Sequence, residues 1–243
     1  MFALYKKEIG SFFSTITGYI VICVFLVANG LFMWAFPGEF NVLDNGYSNI
    51  DSLFIIAPWI FLFLVPAVTM RLFSDEKKSG TIELLLTRPL KDLDIILAKY
   101  FAGLTLVLFS LIPALIYFFS VYMLGNPVGN IDTGGTWGSF IGLFFLAGVY
   151  VSIGIFSSSL TNNQIIAFIV AAIISFFIYI GFESISSLEI FKGMDNLIMS
   201  FGINEHYKSM SKGVIDSRDL IYFVSIISIF VLMSKIVLES RKW

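Results

Sequence analysis

Charged residues and cysteine are scarce in this sequence. Asp, Glu, Lys and Arg make up 13% of the 243 residues, hydrophobic residues make up 58%, and the mean hydropathy is +0.90. A soluble domain averages about 25% charged and 45–50% apolar residues, so a chain this apolar belongs in a bilayer. The single cysteine, Cys23, excludes an intramolecular disulfide and a cysteine cluster for metal. A net charge of −2 without a basic run gives no indication of nucleic-acid binding.

Several catalytic motifs are also missing. No Gly-Lys dipeptide occurs, so the phosphate-binding GxxxxGK[ST] loop is absent and the chain cannot itself be a P-loop ATPase. HExxH and GxSxG are absent as well, which disfavours an intramembrane hydrolase. The interiors of the long apolar runs carry no Asp, Glu, Lys or Arg, although ion-coupled carriers use such charges at mid-membrane. We therefore expect no catalytic residue, no metal site and no cofactor, and any pumping must draw its energy from another protein.

The apolar residues are concentrated in six runs that approximate the ~20 residues needed for a membrane-spanning helix. The runs cover residues 14–36, 52–73, 100–124, 137–160, 164–182 and 220–238. They are apolar on every face, whereas transmembrane strands alternate in character. The predicted fold is therefore all-α and polytopic, with about six transmembrane helices in one domain of residues 1–243. The first run is too long for a signal-peptide core and is expected to be retained.

Lys and Arg are distributed asymmetrically around these runs. Basic residues occur before the first run, between the second and third, and after the sixth, whereas segments 37–51 and 125–136 have none. With six spans, all three basic segments lie on one side of the membrane. The positive-inside rule makes that side the cytoplasm. Both termini are therefore predicted to be cytoplasmic.

Two predicted cytoplasmic segments outside the runs have helical patterns. Residues 4–16 are expected to form a short interfacial helix with snorkelling lysines. Residues 74–99 are expected to form a helical hairpin on the inner face, with a break at Gly80, a stop at Pro89 and a second helix restarting at Leu90. On pattern alone, the hairpin fits equally well an amphipathic loop that floats at the interface and a surface that docks a partner.

The predicted extracytoplasmic segment 183–219 contains a third helical pattern. Phe191, Met194, Ile198 and Phe201 share one helical face, which predicts a helix that dips into the outer leaflet or packs over the spans. His206 has no companion His or Cys, so we interpret it as an ordinary loop residue rather than a metal ligand.

Small residues and prolines lie within the runs. Gly138 and Gly142 have the small-xxx-small spacing that lets helices approach closely. Pro58, Pro66 and Pro113 are interpreted as kinks, which membrane helices tolerate, rather than as hinges for alternating access.

Residues 75–89, DEKKSGTIELLLTRP, resemble the E..GT.E.LL..P signature that follows the second span in permeases of type-two ABC transporters. The order of parts is also similar to that class, and the resemblance covers essentially the whole chain. Within the class, the stretches KKEIGSFFSTITGYI and HYKSMSKGVIDSRDLIYF most resemble the ABC transporter permease associated with gliding motility in Bacteroidetes-type bacteria. The resemblance implies a multi-pass protein of the bacterial cytoplasmic (inner) membrane.

The resemblance also implies which residues bind a partner. In this class, the hairpin after the second span is a coupling element that sits in a cleft of a separate ABC ATPase subunit. The matching positions are Glu76, Gly80, Thr81, Glu83, Leu84, Leu85 and Pro89. The alternative interpretation is lipid contact for the leucines and a solvated face for Glu83. A second permease chain, identical or related, and an auxiliary protein with an extracytoplasmic domain are the other implied partners, besides membrane lipid.

The expected function is thus a permease subunit of an export-type ABC complex, serving transport or surface machinery for gliding motility. Two alternatives remain open at this point: a non-transporting membrane scaffold and an ATPase-independent channel. The spans lack polar clusters that would indicate a sugar, peptide or ion as substrate.

Overall fold

The computed structural model describes residues 1–86, 91–187 and 198–240, and in these ranges the chain is helical with no strand. The helices are α1 (Phe2–Ser14), α2 (Ile16–Gly30), α3 (Asp51–Thr69), α4 (Arg71–Lys78), α5 (Thr81–Leu86), α6 (Asp92–Leu124), α7 (Thr133–Leu160), α8 (Gln164–Phe176), α9 (Phe182–Ser186), α10 (Ile203–Ser211) and α11 (Ser217–Glu239). A π-helical turn, Leu31–Ala35, extends α2, and a second one, Phe177–Gly181, joins α8 to α9.

Within the described ranges, six helical stretches are long and apolar enough to cross a membrane, which confirms the predicted polytopic all-α fold. They are Ile16–Ala35, Asp51–Lys78, Asp92–Leu124, Thr133–Leu160, Gln164–Ser186 and Ser217–Glu239. The third begins eight residues before its apolar run, because α6 is one continuous helix of 33 residues. At 1.5 Å per residue α6 is about 50 Å long and exceeds the ~30 Å hydrocarbon core. The predicted second helix of the hairpin is thus the first part of α6 from Asp92 onward, while Leu90 lies outside the described residues.

Helix α7 is the centre of the bundle and contacts α3, α4, α6, α8, α10 and α11. In α7, 83% of an apolar stretch of 18 residues is buried. The corresponding share is 22% in each of the three spans to which α2, α8 and α11 belong. Its sequence explains this position, because Gly and Ser recur along it and let neighbouring backbones approach. Gly154 is the clearest case: a Cβ atom there would lie 1.9 Å from the Thr69 Oγ1 atom of α3.

Helix α10 packs across the end of α7 that lies farther from Gly154. It belongs to the segment predicted to be extracytoplasmic. A Cβ atom on Gly138 would lie 2.2 Å from the carbonyl oxygen of Met210, and one on Gly142 would lie 3.2 Å from the Tyr207 ring. The Tyr207 hydroxyl donates to the Phe54 carbonyl of α3 at 2.9 Å, and burial raises the pKa of this tyrosine well above its usual value. Gly138 and Gly142 therefore allow close packing of α10, rather than of another span, on α7.

The interpretation of His206 as a loop residue is wrong, because His206 lies inside α10. Its Nδ1 atom is 2.7 Å from the Asp219 Oδ1 atom, its Nε2 atom is 2.9 Å from the Ser200 carbonyl oxygen, and its ring stacks on Tyr222 with centroids 3.8 Å apart. The histidine therefore fastens α10 to α11. Of the residues on the predicted amphipathic face, Phe191 and Met194 lie outside the described residues, and Phe201 is exposed.

Candidate functional site at the junction of α1, α4 and α6

A buried lysine lies where α1, α4 and α6 meet. The Lys99 side chain is 1% exposed, and its Nζ atom lies 2.9 Å from Glu76 Oε1 and 3.1 Å from Glu8 Oε1. It also donates to the Leu72 carbonyl oxygen at 2.7 Å. A buried charge is tolerated only when it is paired and hydrogen-bonded, and the three donors of this ammonium group face three acceptors. The pairing thus fixes Lys99 of α6 to α1 and to α4 at once.

A second lysine completes this group, which we call the ion cluster (Lys7, Glu8, Glu76 and Lys99). Lys7 Nζ lies 3.4 Å from both Glu8 Oε1 and Glu76 Oε1, and its side chain is 60% exposed. Burial acts to lower the pKa of Lys7, but the two carboxylates outweigh it, so the pKa is raised and the lysine stays charged at neutral pH. Two lysines and two glutamates balance in charge, with the open edge of the cluster at Lys7.

Polar contacts also hold α4 to α7 and α8. The Gln164 side-chain amide donates to the Asp75 carboxylate, and the Lys77 ammonium donates to the Ser159 carbonyl oxygen. Helix α4 is therefore tied on one side to α1 and α6 through the ion cluster, and on the other to the end of α7 and the start of α8. We call this end of the bundle the α4 end and the opposite one the α10 end.

The chain leaves α4 through a tight turn. Gly80 has φ +71°, in the left-handed region where glycine is favoured, and it ends the helix as predicted from the sequence. The Ser79 and Thr81 hydroxyls lie 2.8 Å apart across this turn, and α5 begins at Thr81. Residues 78–81 are exposed. Gly80 and the first residues of α5 thus present a surface at the α4 end, which we call the α5 surface (residues 80–83).

The residues of the predicted coupling element fall into three groups. Gly80, Thr81 and Glu83 lie on the α5 surface and are exposed, whereas Ile82 between them is buried. Glu76 is different, because its carboxylate pairs within the chain and is only 14% exposed. The side chains of Leu84 and Leu85, and the whole of Pro89, lie outside the described residues.

Glu8 and Lys99 were not recognised from the sequence as functional candidates. Lys99 borders the third apolar run, where a basic residue also fits the end of a cytoplasmic loop. A usable signal was present, since Lys99 follows Ile95 and Ile96 and precedes Ala102 and Gly103 at the spacing of one helical face. These four residues are all buried, so the same face buries the lysine.

Comparison with known protein families identifies the family of this chain. The sequence profile described as ABC-2 family transporter protein matches residues 3–239, which is nearly the entire chain. The chain belongs to the ABC-2 family. Members of this family are multi-pass transmembrane permease subunits of ABC transporters, and membership implies an ABC ATPase partner. A search of curated proteins found no match. In this ABC-2 protein, the α5 surface and the ion cluster together form the candidate functional site.

Proposed function

We propose that this ABC-2 protein is the permease subunit of an export-type complex and that the ATPase subunit docks on the α5 surface. The observation that carries this proposal is the exposed α4–α5 turn fixed to the spans through the buried ion pairs of Lys99. A surface loop without a partner needs no buried charges at its base, and buried ion pairs are weak evidence for stability alone. A loop that must transmit movement does need rigid attachment.

The contacts define a route for that movement. A displacement of α5 moves α4, from which it is separated by a two-residue turn. Glu76 of α4 is paired with Lys99 of α6, and Lys99 is paired with Glu8 of α1, so the movement of α4 passes to both helices. Packed helices linked this way respond to a force at one end as rigid bodies rather than by gradual deformation. Nucleotide-driven closure of the ATPase would thereby reach α6 and α1.

The proposed partner-binding residues come from the resemblance, and the geometry changes the role of one of them. Gly80, Thr81, Glu83, Leu84, Leu85 and Pro89 remain the proposed contacts with the ATPase. Glu76 has a different proposed role: it ties the coupling element to the spans instead of pairing with a basic side chain of the ATPase. Lys99 and Lys7 pair with its Oε1 atom, and its Oε2 atom is buried.

Docking is tested by replacing Glu83 and Leu84 together with alanine. We expect at least a tenfold loss of ATPase subunit co-purified in mild detergent, since removing two central interface residues costs on the order of 1 kcal/mol or more each. The matched control is Glu39→Ala with Leu43→Ala, an exposed acid and leucine at the α10 end. Equal ATPase recovery from both double variants would contradict docking at the α5 surface.

The α4 end and both termini are proposed to face the cytoplasm of a bacterial cell, with the α10 end outside. In a Cys23→Ser background, Ser79→Cys is expected to react with a membrane-impermeant maleimide only after the membrane is opened. Tyr47→Cys, at a position 78% exposed at the α10 end, is expected to react in intact cells or spheroplasts. The reverse labelling pattern would contradict the proposed orientation and place the α4 end outside the cytoplasm.

The remaining partners are proposed from the resemblance alone. A second permease chain would complete the membrane part, and an auxiliary protein with an extracytoplasmic domain would receive work at the α10 end. The two stretches similar to gliding-motility permeases support a task in surface machinery of that kind.

A further inference from the structure

The second membrane-crossing stretch is interrupted at Met70, between α3 and α4. Helix α3 ends at Thr69 and α4 begins at Arg71. The first N–H groups of a helix have no acceptors within it, and no side chain at the Met70 cap position supplies one. The acceptor comes from α7 instead. The Ser158 hydroxyl oxygen accepts from the N–H groups of Phe73 at 2.9 Å and Ser74 at 3.0 Å.

The same hydroxyl serves the other side of the interruption. Ser158 donates its proton to the Met70 carbonyl oxygen at 2.7 Å. A single buried oxygen on α7 therefore joins three backbone groups of the α3–α4 junction. A helix bends most readily where its own hydrogen-bond ladder is replaced by an inserted side chain. The junction at Met70 is such a point.

Gly154 brings α7 close enough for this contact. It lies one turn before Ser158, and a Cβ atom there would lie 1.9 Å from Thr69 Oγ1 and 2.7 Å from Thr69 Cβ. Thr69 is held in turn by its hydroxyl bond to the Val65 carbonyl at 2.8 Å. Gly154 allows the end of α3 to pack directly on α7, and Ser158 caps the start of α4. The two residues thus define a fixed contact on α7 for both sides of the junction.

From these contacts we propose that Ser158 is a positioning residue for coupling, the pivot about which α4 turns relative to α3. The inference rests on the proposed function, because it assigns to Ser158 a role in passing movement from the α5 surface to the spans. The Lys77 and Gln164 contacts hold the far side of α4 to α7 and α8. With Ser158 in place, α4 turns about a fixed point at the end of α3, and without it α7 no longer defines the direction of α4 relative to α3.

The pivot is tested by spin-label distances in the full chain. Labels at Phe63→Cys of α3 and Ser79→Cys, both exposed, span the junction in a Cys23→Ser background. Ser158→Ala is expected to broaden the distance distribution, because loss of a helix cap shifts the local equilibrium at the junction by about fivefold. Ser158→Thr, which keeps a hydroxyl, is expected to restore a narrow distribution. The matched control is Ser157→Ala, a buried neighbour whose hydroxyl has no hydrogen-bond partner among the described residues.

The same samples with bound ATPase separate the pivot from mere stabilisation. Ser158→Ala is expected to keep the ATPase bound and hydrolysing, but to lose most of the nucleotide-dependent change in the 63–79 distance. Distances in Ser158→Ala that match those of Ser157→Ala, with ATPase bound to both, would overturn the pivot and leave the proposed function standing. Failure of the wild-type chain to bind any ATPase would overturn the proposed function, and the coupling role of Ser158 with it.

Discussion

Lys99→Met is expected to destabilise the protein by about 3–5 kcal/mol, the cost typical of removing one partner from a buried ion pair. The substitution keeps most of the length of the side chain but leaves the carboxylates of Glu8 and Glu76 next to each other without a buried cation. Thermal unfolding of the detergent-solubilised chain, followed by size-exclusion chromatography, measures the loss.

Two further variants show whether charge is the cause. Lys99→Met combined with Glu8→Gln and Glu76→Gln is expected to recover most of the stability, because no unpaired charge remains at the junction. Lys6→Met, an exposed lysine on α1, is the matched control and should change stability by no more than about 0.5 kcal/mol. If Lys99→Met unfolds at the temperature of Lys6→Met, the ion cluster does not hold the helices together.

Gly138→Ala is expected to loosen α10 from the bundle and to cost about 1–3 kcal/mol, as overpacking does. The added Cβ atom would meet the Met210 carbonyl oxygen at 2.2 Å, and a backbone atom cannot rotate away as a side chain can. Limited trypsin digestion is expected to cut faster after Lys208 and Lys212, both of which are exposed on or next to α10.

The control for this substitution lies one turn earlier in α7. A Cβ atom on Gly134 would lie 3.5 Å from Asp132 Oδ1, an ordinary contact, so Gly134→Ala should be neutral or slightly stabilising through the better helix propensity of alanine. Equal digestion rates for the two alanine variants would contradict the close packing of α10 on α7.

The parts of the fold that depend on local sequence were predictable. The six spans follow from runs of about 20 apolar residues, and Gly80 ends α4 because glycine adopts φ +71° without strain. The position of α10 was harder to predict from the sequence. Its polar sequence includes Asn204, Glu205 and Lys208 and suggests a loop, but a buried edge of Ile203, Tyr207 and Met210 fixes it against α7.

The site was predictable only in part, because its decisive contacts join distant residues. Glu76 was identified by resemblance as a contact for the ATPase, yet its partner within the chain, Lys99, lies on another helix. The Ser158 hydroxyl caps a helix that begins 87 positions earlier in the numbering, at Arg71, and no local pattern encodes that pairing. Leu84, Leu85 and Pro89 stay predictions as partner contacts.

The central claim, that an ATPase acts on this chain through the α5 surface, is tested most directly by crosslinking in living cells. A photoreactive amino acid placed at Thr81, which is exposed on that surface, is expected to form one major adduct with a P-loop ATPase. The same amino acid at Tyr47, at the α10 end, should give no such adduct. Adducts at position 81 with lipid or with the chain itself, and none with an ATPase, would contradict the account.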